Sequence, residues 1–157
     1  MEIVLRPFEP GDEAAFRDLN EAWIQEYFSI EGKDSQVLGD PVRHILQEGG
    51  SIYMALQGGK PAGCCALVAA GEGCLELAKM AVDKDLRGSG IGRKLLVFVV
   101  EQARQAGATR LFLETNHTLE AAIHLYEAVG FSRIPADRGH VSPYARSDVA
   151  MEMVLRS

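Results

Sequence analysis

The hydrophobic positions along the chain follow two different periods, and the switches between them outline the elements. Ile3-Val4-Leu5 is a short apolar run stopped by Pro7, and Pro10-Gly11-Asp12 follows as a turn and helix N-cap. Phe16, Leu19, Trp23 and Tyr27 then recur at helical spacing, with Arg17, Asp18 and Glu21 on other faces, which predicts a helix. From Ser29 to Gly39 the pattern is polar and aperiodic and reads as a flexible connection. Asp40-Pro41 opens a short helical stretch through Val42, Ile45 and Leu46 that ends at Gly49-Gly50. Ser51 to Gln57 and Lys60 to Ala70 read as strands joined in a hairpin by Gly58-Gly59, and Gly71-Glu72-Gly73 turns the chain into a third strand, Cys74 to Val82.

Helical spacing returns after a glycine-rich loop, with Ile91, Leu95, Phe98, Val99, Gln102 and Ala106 on one side and Gly107 as the closing cap. Thr109 to Thr115 alternates Leu111 and Leu113 with polar or outward positions. A strand there would run parallel to Cys74–Val82, joined to it by the crossover helix. Thr118 is placed to cap a helix over Leu119 to Val129 that ends at Gly130. Phe131 to Ile134 and Val149 to Leu155 supply two more strands, with Pro135 to Asp148 as a long loop between them. The predicted architecture is therefore α/β in the α+β sense, with a mixed, mostly antiparallel central sheet of about seven strands flanked by helices. The three consecutive strands in the middle exclude a simple doubly wound fold. At 157 residues, residues 1–157 form one domain with one sizeable core.

Composition narrows the partners. A chain that is 47% hydrophobic and 24% charged packs as an ordinary globular protein, and a net charge of −6 argues against a body that grips nucleic acid. Cys64, Cys65 and Cys74 are an odd count with no metal-type spacing, so neither a disulfide framework nor a zinc site is expected. Cys64 and Cys65 lie in an apolar run and read as small buried hydrophobes. His44, His117, His124 and His140 lack ligand-like spacing, and no metal is expected. The opening residues carry Glu2, Arg6 and Glu9 without a signal-peptide core, and no segment approaches a membrane span. A cytoplasmic location and no membrane partner are the corresponding expectations.

The informative stretch is the apolar strand to Val82, the loop Arg87-Gly88-Ser89-Gly90-Ile91-Gly92, and the helix that follows. Backbone N–H groups in a helix's first turn lack internal partners and carry the positive end of its dipole, so the outline is that of an anion site. Glycines alone leave a tight structural loop equally open. A dinucleotide fingerprint fails on spacing, since Gly88, Gly90 and Gly92 alternate. A triphosphate P-loop fails too, because Gly88 to Gly92 is one residue short and Leu95 follows Lys94 where Ser or Thr belongs.

Arg87-Gly88-Ser89-Gly90-Ile91-Gly92 does resemble the signature of the GNAT superfamily: Gln or Arg, two variable residues, Gly, one variable residue, then Gly or Ala. Leu125-Tyr126-Glu127-Ala128-Val129-Gly130-Phe131 is similar to that superfamily's later Leu-Tyr…Gly-Phe motif, in the right order along the chain. The resemblance covers most of Ser51 to Phe131. It implies an acetyl-coenzyme A-dependent N-acetyltransferase that acts by direct attack of an amine in a ternary complex. It also implies that main-chain N–H groups of Arg87, Gly88, Ser89, Gly90, Ile91, Gly92 and Arg93 hold the pyrophosphate of coenzyme A. Met80, Ala81 and Val82 would pair with the pantetheine arm like an added strand.

The resemblance further implies two catalytic side chains. Glu76, four residues before Met80 in an otherwise apolar strand, occupies the position of the superfamily's glutamate base, and burial would raise its pKa into a useful range. A solvent-facing strand residue is the competing reading, since alternation puts Glu76 on one face with Ala78 and Met80. Tyr126 stands where the superfamily's tyrosine acid stands, to protonate or hydrogen-bond the departing thiolate, with helix-core packing as the competing reading. The superfamily's frequent asparagine, seven residues before this tyrosine, is here Leu119, while Asn116 lies ten before it and is the candidate to reach coenzyme A. The acceptor, a small-molecule amine or a peptide or protein amine, is unidentified. Glu26, Tyr27 and Tyr144 are its candidate contacts, with Trp23, Phe28 and Arg146 as further walls. A coenzyme A-binding sensor without turnover is the reading from another class, and edge-strand pairing into a homodimer is a further expectation.

Overall fold

In the computed structural model, residues 2–135 and 142–155 are described. Strand β1 (Ile3–Pro7) leads into helix α1 (Glu13–Tyr27), helix α2 (Gly32–Gly39) and a single π-turn over Val42–Leu46. Strands β2 (Ser51–Gln57), β3 (Lys60–Ala69) and β4 (Cys74–Val82) form the expected antiparallel meander. A short 3₁₀ turn at Lys84–Leu86 precedes helix α3 (Ile91–Gln105), strand β5 (Arg110–Thr115), helix α4 (Glu120–Val129), strand β6 (Ser132–Arg133) and strand β7 (Val149–Val154). All seven strands join one sheet in the order β1-β2-β3-β4-β5-β7-β6, and only β4 and β5 run parallel. The mixed, mostly antiparallel sheet is thus as its hydrophobic pattern requires, with α3 as the crossover.

Each face of the sheet has its own core. Helices α3 and α4 press Leu95, Leu96, Val99 and Ile123 onto Tyr53, Cys65, Leu67, Leu77, Leu111 and Met151. On the opposite face α1, α2 and the π-turn bring Phe16, Ile24, Leu38 and Ile45 onto Ile52, Met54, Cys64, Ala66 and Ala81. Burying adjacent Cys64 and Cys65 on opposite faces explains the continuous apolar run in β3.

Several local expectations are corrected. Ser29 to Gly39 is not a flexible connection, because Gly32–Gly39 is helical. A reciprocal capping box closes its start: the Glu31 N–H donates to the Asp34 carboxylate, while the Glu31 side chain accepts from the backbone at Asp34. Asp12 flanks α1 but its carboxylate binds Arg6 and the Glu9 N–H instead of capping the helix. Thr118 does not cap α4; Leu119 holds the N-cap position, and the Thr118 hydroxyl donates to Asn116. Strand β6 is reduced to Ser132–Arg133. Gly139 and His140 of the late loop lie outside the described residues.

Candidate active site

Two departures from regular sheet geometry open the site. β4 pairs with β3 along its length to Val82, but with β5 only through Cys74, Leu75 and Glu76. Beyond Glu76 the parallel partners separate, and a cleft of about 120 Å³ opens between Glu76–Met80 of β4 and Glu114, Thr115 and Asn116 at the end of β5. The second departure is a bulge. Cys64 faces Ala81 and Ala66 faces Ala78, so Lys79 and Met80 together oppose Cys65, and Lys79 takes a φ of 54°. A left-handed backbone is rare for a residue with a side chain, and its cost, on the order of 1 kcal/mol or more, must be offset by contacts.

The bulge inverts the strand's faces. Leu75 and Leu77 before it, and Met80 and Val82 after it, all pack on the α3 side, whereas Ala81 packs on the α1 side. Glu76 pairs with Val68, which belongs to the α1-side core. The alternation that put Glu76 and Met80 on one face is therefore wrong: they sit on opposite faces and both line the cleft.

Contacts that hold the Lys79 side chain come from two separate segments, α2 and the late loop. Its ammonium donates to Asp34 Oδ1 at 2.8 Å and to the Tyr144 hydroxyl at 3.0 Å, and it lies 4.5 Å from the centre of the Tyr144 ring. Arg146 donates to both oxygens of Asp34 at 2.8 Å. The Asp34 side chain is fully buried and that of Lys79 is 8% exposed. Burial alone would raise the Asp34 pKa. Hydrogen bonds from Arg146, Lys79 and the Glu31 backbone overcome that and hold the carboxyl far below the usual range. Lys79 is shifted downward, because burial of its ammonium outweighs the attraction of Asp34. Tyr144 is pushed up to about 12, chiefly by burial and then by the charge of Asp34.

The glycine loop lies beyond Met80, which lines the cleft and sits beside Gly92. Gly88 and Gly90 have φ of 86° and 87°, and a Cβ on either would meet nothing within 4 Å. Conformation and open approach, not packing, therefore require glycine there. The first α3 bond runs from the Lys94 N–H to the Gly90 carbonyl at 3.1 Å, so the N–H groups of Ile91, Gly92 and Arg93 have no acceptor within the helix. Ser89 donates back to the Leu86 carbonyl and closes the loop. The Arg87 side chain anchors the loop to α1: it donates to the Val82 carbonyl at 3.2 Å and to both Glu26 oxygens, and lies 4.7 Å from the centre of the Trp23 ring.

Tyr126 on α4 lines the cleft, with its ring 6.0 Å from that of Phe131 in an edge-to-face contact. Among the described residues its hydroxyl makes no hydrogen bond, and burial raises its pKa, so the phenol stays protonated. The ring of Tyr126 packs on the α3-side core, as the packing reading expected, and the residue also lines the cleft. No group of three or more His, Cys, Asp and Glu side chains able to hold a metal occurs among the described residues.

The model of the Acetyltransferase (GNAT) family matches residues 12–131. The chain belongs to this family. An IAA acetyltransferase of Azospirillum brasilense is 37% identical over 121 residues, covering 76% of this chain and 72% of that protein. Matches to other curated relatives are partial, covering 35% of the length of one and 45% of two more. Among solved structures, a GNAT acetyltransferase of Staphylococcus aureus superposes with a TM-score of 0.88 at 19% identity, covering 99% of this chain and all of that one. A Bacillus subtilis acetyltransferase in complex with CoA superposes with a TM-score of 0.75 at 17% identity, covering 99% of this chain and 100% of that one.

Within this GNAT fold the residues singled out from sequence fall into two groups. Glu76, Met80, Asn116, Tyr126 and Tyr144 share the one cleft, and Trp23, Phe28 and Arg146 join them. Ala81 and Val82 continue β4 toward the glycine loop. Glu26 and Tyr27 lie outside the cleft lining and serve the Arg87 anchor instead. Asn116 is engaged in turn chemistry: its amide donates to the Arg146 carbonyl at 2.7 Å, and its oxygen accepts from the Thr118 N–H. His117 pairs with Asp148 at the surface. Sequence reasoning missed Asp34 and Lys79. The one available signal was a Glu31…Asp34 capping box inside a stretch otherwise read as loop.

Proposed function

We propose that the protein transfers the acetyl group of acetyl-coenzyme A to a primary amine bound in the β4–β5 cleft. The observation that carries this is the conjunction of a cleft lined by Glu76 and Tyr126, a stretch of β4 edge with no strand partner on that side among the described residues, and, next to Met80, a helix N-terminus behind two left-handed glycines. The groups present fit coenzyme A: N–H donors of Ile91, Gly92 and Arg93 suit a pyrophosphate, and the free edge of β4 suits an amide-bearing arm.

In this reading the amine attacks the thioester carbonyl carbon as a neutral nucleophile. A free alkylamine has a pKa of about 10.4 and arrives protonated, so Glu76 takes that proton, directly or through water. Negative charge gathers on the carbonyl oxygen as the C–N bond forms, and a backbone donor at Met80, beside the Lys79 bulge, stabilises it. The C–S bond then breaks, and Tyr126, still protonated because it is buried, gives its proton to or hydrogen-bonds the leaving sulfur, while the surplus proton of the new amide nitrogen passes through water to restore the phenol or to reach the thiolate itself.

The test is thiol release from acetyl-coenzyme A across a panel of amines, with Glu76→Gln and Tyr126→Phe alongside. Amine-dependent release, with the acid-side pH dependence altered in Glu76→Gln, is expected. Binding of acetyl-coenzyme A with no release for any amine would make the protein a sensor.

A further inference from the structure

The hydrogen-bond capacity of the Asp34 cluster is unbalanced toward donors. A carboxylate offers about four lone-pair positions. Those of Asp34 are filled by Lys79, by two nitrogens of Arg146 and by the Glu31 N–H. It can accept no more. Lys79 has three N–H donors, of which one goes to Asp34 and one to Tyr144. Tyr144 accepts from an ammonium that cannot accept in return, so its own O–H must donate elsewhere, and it has no such acceptor among the described residues. Arg146 uses its two terminal nitrogens on Asp34 and Glu31 and leaves Nε uncommitted.

Charge points the same way. Lys79 and Arg146 carry two positive charges against the single buried charge of Asp34; Glu31 touches Arg146 only at 3.4 Å and is partly exposed. Lys79, Tyr144 and Arg146 all line the cleft, while Asp34 lies behind them and does not. The same cleft is also lined by Glu76 and Glu114. It therefore presents spare donors and two cations together with carboxylates.

Building on the acetyltransferase reading, we infer that the acceptor is a small primary amine that also carries a carboxylate, an amino acid or close analogue. Its carboxylate is received by Tyr144, Lys79 and Arg146, and its amine is directed toward Glu76. A polyamine places a second positive charge against Lys79 and Arg146, where it is repelled in a part-buried setting.

The experiment compares kcat/KM for matched sets: amino acids, their primary amides, their decarboxylated amines, and spermidine as polycation. Amides control for the lowered basicity of an α-amine. The expected result is a preference of roughly tenfold or more for the carboxylate over both partners in a set, the usual scale of a hydrogen bond to a charged group. Tyr144→Phe keeps the ring over Lys79 and should reduce that ratio several-fold, mainly through KM. Equal use of amino acid and amide, or better use of spermidine, overturns the inference while the acetyltransferase reading stands. An unchanged ratio in Tyr144→Phe removes Tyr144 from the carboxylate site. Absence of release with every amine sinks the underlying reading and this inference with it.

Discussion

Replacing Asp34 by Asn tests the cluster behind the cleft most severely, because it removes one charge and almost no volume. Asp34 is fully buried, and its partners Lys79 and Arg146 are 8% and 17% exposed, so solvent can do little to screen what remains. Removing one partner of a buried pair costs about 3–5 kcal/mol, since the other partner is left charged and unpaired. For a domain of this length that lowers Tm by about 6 to 20 °C. Thermal and urea unfolding would read it, with Arg17→Gln as the control: the Arg17–Asp18 pair is exposed on both sides and should register no measurable change. The sign with pH is fixed by the lowered pKa of Asp34. Its contribution is complete above the unfolded carboxyl value of about 3.9 and is lost as pH falls through the lower folded value. The gap between wild type and Asp34→Asn should therefore be constant near neutrality and close in acid. A loss below about 1 kcal/mol, or a gap that widens in acid, refutes the assignment of Asp34 as the ionised hub of the cluster.

Other expectations follow from the same geometry. Gly90→Ala forces a side chain into a φ of 87° with no clash, so stability should drop by only about 1–2 kcal/mol while coenzyme A affinity, read by calorimetry, falls by more than that strain accounts for. Tyr126→Phe removes a hydroxyl with no hydrogen bond among the described residues; kcat should fall by about 10²-fold with little change in Tm. Since burial keeps the phenol protonated, that loss should be the same at about pH 7 and about pH 9. In native protein, alkylation followed by mass spectrometry should label Cys74 and spare Cys64, whose thiol burial pushes up to about 12, and Cys65, which burial also raises.

The sheet was legible because its signals are local. Gly58-Gly59 sets the β2–β3 hairpin, alternation at Leu111 and Leu113 marks β5, and the spacing of Ile91, Leu95 and Val99 makes α3 a crossover. The glycine loop was legible for the same reason, as Gly88 and Gly90 answer to backbone conformation. What escaped depends on distant partners. α2 has few apolar residues, and its stability rests on Leu38 in the core and on Asp34 reaching Lys79 and Arg146, 45 and 112 positions along the chain. The bulge at Lys79 carries no glycine to announce it, so strand alternation was carried past it and Met80 was placed on the wrong face. Glu26 and Tyr27, one turn from Trp23, answer to Arg87 instead of the cleft, which only the folding of α1 over the glycine loop decides.

Transfer of acetyl to nitrogen is the claim on which the rest depends, and mass spectrometry of an amine acceptor incubated with the protein and isotopically labelled acetyl-coenzyme A tests it directly. The account predicts a labelled N-acetyl product that forms only with active protein, is strongly reduced in Glu76→Gln, and appears together with an equal amount of free coenzyme A. A product formed equally by Glu76→Gln and Tyr126→Phe would remove those two side chains from the chemistry, and coenzyme A bound tightly without labelled product for any amine would contradict the transfer itself.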